Sequence, residues 1–231
     1  MPTFNEEKII EKSINNLSDF LERKKIDYEI LIVDDKSKDK TIEIVNKISK
    51  KNKKIILFIR KEKPGFGFSL IDGTKKASGE IVIWTMADLS DDLETIPKMI
   101  KKIQDGADMV IASRNMPGGS RGDQNKLKAI GSTIFSRLAK ILFLLPIYDI
   151  TNAFRAFKKE MIYTISLENN NFAISPEFAI KAHKKGYRLA EVPTTYNERK
   201  VGEAKTKLFK MGTFYYKMLF RYWFKNIFYT L

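Results

Sequence analysis

The chain has 231 residues, 43% of them apolar, which suits one domain with a sizeable core and at most an appendage. It carries no cysteine and one histidine, which excludes a disulfide scaffold, a thiolate metal site and His-rich zinc chemistry. The net charge of +14 calls for an anionic partner, whether nucleic acid, lipid head groups or a phosphorylated substrate, although Lys-rich solvated faces such as 47–54 supply part of it.

In chain order, Ile9, Ile10, Ile14, Leu17, Phe20 and Leu21 have helical spacing. Tyr28–Val33 reads as a strand that ends in Asp34-Asp35. Ile42, Val45 and Ile48 mark a second helix, and Ile55–Ile59 a second strand. The turn Pro64-Gly65-Phe66-Gly67 leads into a third helix. An apolar strand over 81–86 then runs into Ala87-Asp88-Leu89-Ser90-Asp91-Asp92, followed by a helix over 93–104 and a strand over 109–112. Repeated strand–helix units of this kind imply an α/β fold with a largely parallel sheet covered by helices. Residues 113–126 are polar and Gly-rich, as a loop at an active site would be. Ile130–Leu145 reads as an apolar helix stopped by Pro146, and 188–192 as a late strand. No run of about 18 uncharged apolar residues is present, so no clean spanning helix is expected.

Leu208–Leu231 reads as a separate element. As a helix it places Lys210, Lys217, Arg221 and Lys225 on one stripe among aromatic residues. That pattern favours a helix lying in a membrane interface, with the alternative of packing on the domain or on a second subunit. Removing 208–231 is therefore expected to release the protein from vesicles.

Four polar segments follow strands or open helices: Pro2-Thr3-Phe4-Asn5-Glu6, Asp34-Asp35-Lys36-Ser37, Ala87-Asp88-Leu89-Ser90 and Ser113-Arg114-Asn115. Acids at the carboxyl ends of buried parallel strands sit where open α/β sheets bind ligands. Carboxylates there suit a hard divalent cation, and the cation suits a pyrophosphate. The plainer reading of each segment is turn and cap chemistry.

In this order and spacing the segments resemble the family 2 glycosyltransferases of GT-A fold, in the branch of the polyprenyl-phosphate glycosyltransferases. Asp149-Ile150-Thr151-Asn152-Ala153-Phe154-Arg155 and Glu191-Val192-Pro193, with Arg199 and Gly202-Glu203-Ala204-Lys205, extend the resemblance over nearly the whole chain. The resemblance implies a GT-A, Rossmann-like domain over 1–205 and an amphipathic membrane-interface helix over 206–231. It implies inverting transfer of a hexosyl group from a nucleotide sugar, GDP-mannose or UDP-glucose, to a polyprenyl (dolichyl) phosphate at the cytoplasmic face of the membrane. Pro2, Thr3, Asn5, Glu6, Asp34, Asp35, Gly67 and Ala87 would border the nucleotide sugar, with Gly65–Gly67 and Gly73 letting backbone pass close to it. Asp88, with Ser90, would hold Mg²⁺ or Mn²⁺ against the diphosphate. Arg114, Lys128, Ser132, Arg199 and Lys205 would hold the acceptor phosphate. Asp88, Arg114 and Asp149 form the catalytic set, with Asp149 an orienter or metal neighbour, or else a cap or partner for Arg155. A phosphate acceptor is already anionic, so no strong general base is required.

Two departures stand out. Met86 occupies the position of the family's first metal-binding Asp, and a thioether is a poor ligand for a hard cation. The family also has an apolar strand ahead of the first motif, where only Met1 precedes Pro2 here. A chain starting at Met1 is thus expected to lack a central sheet member and to be poorly stable. Two other readings compete: a non-catalytic relative that binds sugar nucleotide or membrane, and a basic nucleic-acid-binding protein. The second leaves the strand-end acids unexplained, so no nucleic-acid partner is expected. His183 and Arg121-Gly122-Asp123 read as surface and loop residues.

Overall fold

The computed structural model describes residues 1–88, 90–197 and 208–228. Seven strands and eight helices are found in that range: β1 (Pro2–Thr3), α1 (Ile10–Arg23), β2 (Ile30–Asp34), α2 (Thr41–Lys51), β3 (Ile55–Ile59), α3 (Phe66–Lys76), β4 (Ile81–Trp84), α4 (Thr95–Gln104), β5 (Met109–Ser113), α5 (Lys126–Phe143), β6 (Arg155–Lys158), α6 (Met161–Thr164), α7 (Ile174–Lys184), β7 (Leu189–Pro193) and α8 (Leu208–Phe228). The first three strands are parallel, in the order β1-β2-β3. The other four run β4-β6-β5-β7, with β6 antiparallel to both neighbours and β5 parallel to β7.

Strand periodicity explains how one sheet serves two cores. Met109 and Ile111 of β5 pack on one face with Trp84, Phe157 and Phe178. Val110 and Ala112 face the opposite side, with Ile10, Ile14, Ile32 and Met99. Trp84 lies edge-on to Phe157 at 5.1 Å between centroids, and its indole N–H donates to Thr74 Oγ1 at 2.9 Å, so the largest ring in the core is satisfied.

Between β2 and β4 the two sheets are not joined. The gap is a cavity of about 610 Å³ lined by Leu31 and Val33 of β2, Ile81 to Trp84 of β4, Leu17 and Leu21 of α1, and Leu70 and Gly73 of α3. Met1 and Pro2 enter one end of it. The Met1 amine continues the β1–β2 ladder by donating to Leu31 O at 3.0 Å, and burial lowers its pKa to about 5.

The C-terminal helix makes the contacts of the alternative reading, packing on the domain. α8 packs on α5 and on the core, burying Tyr215, Met218, Leu219 and Tyr222. Phe135 of α5 contacts both Tyr215 and Tyr216, at 5.0 and 5.6 Å. The Tyr222 hydroxyl donates to the fully buried Glu177 at 2.7 Å, and Arg221 pairs with Glu168. Glu177 also accepts from Glu168 N, Asn169 N and Lys181 Nζ, which fastens the 166–170 loop to α7. Among its described side chains, Tyr216, Phe220 and Phe224 are the large apolar ones that remain exposed. Deleting 208–231 is therefore expected to lower the thermal midpoint by at least about 10 °C, because it uncovers core rather than freeing an appendage. A melt matching the full chain would refute that packing.

Candidate active site

The first two motifs are zipped together. Asn5 sits at φ 51°, a left-handed conformation that asparagine tolerates, and its N–H donates to Ser37 Oγ at 2.8 Å. Its Oδ1 accepts from Lys38 N, and Glu6 N donates to Thr41 Oγ1, both at 2.8 Å. Pro2 and Thr3 are buried, with Thr3 Oγ1 donating to Val33 O. Asp34 is fully buried and its carboxylate staples the turn, accepting from Ser37 N and Ser37 Oγ. Of the acidic pair only Asp35 reaches the rim. It is held by the Arg60 guanidinium on one oxygen and by Gly65 N on the other, at 2.8 Å for the latter. Arg60, almost wholly buried, also pairs with Asp72 at 2.8 Å.

The glycines at 67 and 73 are required by packing within the chain. A side chain at Gly67 would meet Asn169 O at 2.2 Å, because the 166–170 loop lies on that turn and Asn170 O accepts from Gly67 N. At Gly73 a Cβ would strike Val33 at 2.6 Å, so this glycine lets α3 close on β2.

At the end of β4, Ala87 is buried and its carbonyl accepts from Ser13 Oγ of α1 at 2.5 Å, which ties this strand end to the helix following β1. Asp88 is half-buried, with Oδ1 accepting from Ser90 N at 3.1 Å. Ser90 is buried, its carbonyl bonded by Asn197 N. Asp91 turns back to accept from Thr85 Oγ1 and Met86 N, both at 2.9 Å. Burial, together with the nearby Asp88, pushes the Asp91 carboxyl up to about 7. Neither Ser90 nor Asp91 caps the next helix, which starts from Glu94 without a side-chain cap. Among the described residues there is no group of three acidic, His or Cys side chains able to cage a metal. A hard cation that keeps water and takes most ligands from a substrate diphosphate needs only one protein carboxylate, and Asp88 fits that demand.

The end of β5 carries the strongest electrostatic feature. Arg114 grips Asp149 in a fork, Nε to Oδ2 at 2.7 Å and Nη2 to Oδ1 at 3.0 Å, with Arg114 N adding a third bond at 3.1 Å. Asp149 is fully buried; burial alone would raise its pKa, but Arg114 overrides this and holds it down at about 2. Glu191 of β7 fixes the turn by accepting from Tyr148 N and Asp149 N at 2.8 and 2.7 Å. Asp149 thus pairs with Arg114 and not with Arg155, whose guanidinium donates instead to the carbonyls of Ile150, Asn152 and Ser175. Arg114 also lies 5.9 Å from the Tyr196 ring, and Tyr196 bridges to Asp91, which brings the ends of β4 and β5 together.

Arg121, read from sequence as mere loop, is part of this cluster. It donates to Ser132 Oγ at 2.8 Å, to Gln124 Oε1 at 2.7 Å and to Asn115 Oδ1 at 2.8 Å. Burial, and then Arg114, lower its pKa to about 10. Arg114, Lys128 and Ser132 line a cavity of about 290 Å³ between α5 and α8, with Leu127, Phe135, Tyr215 and Tyr216 as apolar walls. Arg199 and Lys205 lie outside the described residues. Arg114→Met is expected to destabilise the fold by about 3 kcal/mol, because it strands a buried carboxylate, and adding Asp149→Asn should return most of that loss. Equal melts for the single and double variants would dissolve the pair as a unit.

Strand ends bearing Asp35 in one sheet and Asp88 and Arg114 in the other, with an antiparallel β6 inserted between β4 and β5, fit one class, the GT-A glycosyltransferases. Among solved structures, glucosyl-3-phosphoglycerate synthase of Mycobacterium tuberculosis is similar with a TM-score of 0.70 at 16% identity, over 92% of this chain and 75% of that one. The same protein in complex with Mn²⁺, UDP and phosphoglyceric acid gives 0.69 at 16% identity, over 93% and 72%. The chain belongs to glycosyl transferase family 2, whose model matches residues 1–166. It is 34% identical over 210 residues to a dolichol-phosphate mannosyltransferase of Pyrococcus furiosus, covering 90% of this chain but only 58% of that relative. It is 30% identical over 212 residues to a dolichyl-phosphate hexose transferase of Haloferax volcanii, covering 92% and 87%. An undecaprenyl-phosphate mannosyltransferase of Micrococcus luteus is 26% identical over 211 residues, covering 89% and 85%.

Proposed function

We propose that this glycosyltransferase moves a hexosyl group from a nucleoside diphosphate sugar, GDP-mannose or UDP-glucose, to a polyprenyl phosphate, with inversion, at the cytoplasmic membrane face. The observation that carries this reading is the cation-lined cavity between α5 and α8, walled by apolar side chains. A phosphate head needs the Arg114 and Lys128 charges, and a prenyl chain needs the Leu127, Phe135 and Tyr216 walls. The names of the Pyrococcus, Haloferax and Micrococcus relatives support the same acceptor class.

In this reading Asn5, Glu6 and Asp35 border the nucleotide, while Pro2, Thr3, Asp34 and Ala87 hold the shape of its rim. Asp88 would hold Mg²⁺ or Mn²⁺ against the donor diphosphate, where the cation neutralises the leaving group. The solved Mn²⁺ and UDP complex of the mycobacterial neighbour supports a divalent cation in this fold. Arg114, kept rigid by Asp149, would orient an acceptor oxygen that already carries charge, so positioning and charge stabilisation supply the catalysis. Arg121, Lys128 and Ser132 complete the phosphate seat.

A transfer screen with radiolabelled nucleotide sugars, one polyprenyl phosphate and Mg²⁺ or Mn²⁺ tests the proposal. Label appearing in the lipid phase with a single donor supports it. Met86 favours one other reading, a binding protein without turnover, and sugar-nucleotide binding with no transfer over all donors and metals would establish that instead.

A further inference from the structure

Glu177 of α7 is fully buried, and no step of the proposed reaction uses it. Its carboxylate accepts from five donors. Oε1 takes Glu168 N at 2.8 Å, Lys181 Nζ at 2.7 Å and the Tyr222 hydroxyl at 2.7 Å. Oε2 takes Asn169 N at 2.9 Å and Asn169 Nδ2 at 2.8 Å. A carboxylate offers about four lone-pair sites, so this one is saturated. A saturated carboxylate sealed from solvent has no free lone pair to take a proton from an acceptor, which removes the role of general base. Burying a charge also costs stability unless its bonds are made. What this charge secures is a stretch of backbone, Glu168 and Asn169, at the start of the run Asn169-Asn170-Asn171.

That stretch lies on the turn that opens α3. Asn170 O accepts from Gly67 N at 3.0 Å, and a Cβ at Gly65 would meet Asn170 O at 2.8 Å. Phe172 stacks on Phe66 at 4.2 Å between centroids and 22° between planes. Contacts this close leave the loop no room to shift without moving the turn. Gly65 N in turn donates to Asp35 Oδ2 at 2.8 Å, one of the two bonds that aim the Asp35 carboxylate. A continuous set of contacts thus runs from Glu177, through Asn170 O and the glycine turn, to the acid assigned above to the nucleotide rim.

We infer that Glu177 is a positioning residue for the nucleoside diphosphate half of the donor. It holds the 168–170 backbone against Gly65 and Gly67 and thereby fixes Asp35 against the base or ribose. This rests on the donor reading above. Tyr222 of α8 braces the same carboxylate oxygen that receives Glu168 N. Asp88 and Arg114 are held by other contacts, with Ser90 and Asp149, so Glu177 acts on donor binding and not on the chemical step.

The test is titration calorimetry of the full chain with GDP and with UDP in the presence of Mg²⁺, continued with the nucleotide that the unaltered chain binds. Glu177→Gln keeps the side-chain volume but sets an amide N–H against donors of the loop. It is expected to weaken nucleotide binding about tenfold and raise the donor KM by a similar factor, with kcat within about threefold of the unaltered chain. Tyr222→Phe deletes one donor and keeps the ring packing, and is expected to weaken nucleotide binding about threefold. Ile103→Val trims a buried side chain in the other core and is expected to lower the thermal midpoint by a few degrees with nucleotide affinity unchanged. That control separates positioning from a general loss of stability. Unaltered affinity in Glu177→Gln overturns the inference, and Tyr222→Phe decides in the same way if the first variant does not fold. An equal loss of affinity in Ile103→Val also overturns it. A parent chain that binds neither nucleotide removes the inference together with the donor reading. Unaltered affinity in Glu177→Gln, with label still reaching a polyprenyl phosphate, removes the inference alone.

Discussion

Asp88→Asn is expected to lower kcat by about 10³-fold with the melt nearly unchanged. The substitution keeps Oδ1, which accepts from Ser90 N, and so preserves the turn. It removes one negative charge at the carboxylate proposed to share a cation with the donor diphosphate. A metal-stabilised leaving group accounts for several kcal/mol of transition-state stabilisation, and about 4 kcal/mol corresponds to that factor. Met86→Asp should act in the opposite sense, placing a second hard ligand two residues away and lowering the half-saturating Mn²⁺ concentration by about tenfold. Initial rates against metal concentration decide both. Near-wild-type turnover in Asp88→Asn, at any metal level, takes Asp88 out of the chemistry.

The second large effect concerns stability. A chain carrying a five-residue apolar strand ahead of Met1 is expected to melt about 10 °C higher than the chain beginning at Met1. The cavity of about 610 Å³ between β2 and β4 is lined by apolar side chains from α1 and α4 and from α3. A strand seated there would pair with two edges and bury alternate side chains in both cores. It would also replace the desolvated Met1 amine by a peptide N–H donating to Leu31 O. A net gain of about 4 kcal/mol, at roughly 2–4 °C per kcal/mol for a domain of this size, gives the expected shift. Scanning calorimetry of the two chains is the check, with a strand of alternating Lys and Ser as control. If both extensions leave the midpoint where it was, the cavity does not receive a strand.

The helix–strand alternation was legible because each early element carries a clean period and ends in polar residues. Strands β2 to β5 fall within two residues of where the apolar runs place them. β6 was not legible: Arg155-Ala156-Phe157-Lys158 is four residues with no visible alternation, and only its two antiparallel neighbours make it a strand. The site divides in the same way. Asp88, Arg114 and Asp149 stand out because acids and a cation directly follow buried segments. Arg60 and Arg121 were missed because their partners are 25 and 11 residues away and only the folded chain brings them close. A lone Arg ending the apolar run 55–59 was the available signal for Arg60. Asp34 and Gly73 also serve the fold, because a turn staple and a helix–sheet contact use the same residue types as a ligand site. For the C-terminal helix the sequence left membrane-interface and domain-packing readings side by side, because its composition hides which aromatic residues face inward.

Glu177 has a further consequence. One side chain supports both the loop that roofs Gly67 and the hydroxyl of Tyr222. The turn at Gly67 and helix α8 therefore share a common strut. Thermodynamic reciprocity then sets the rule: if binding of any partner at α8 alters affinity at the Gly67 turn by some factor, occupancy at that turn alters affinity for the partner by the same factor.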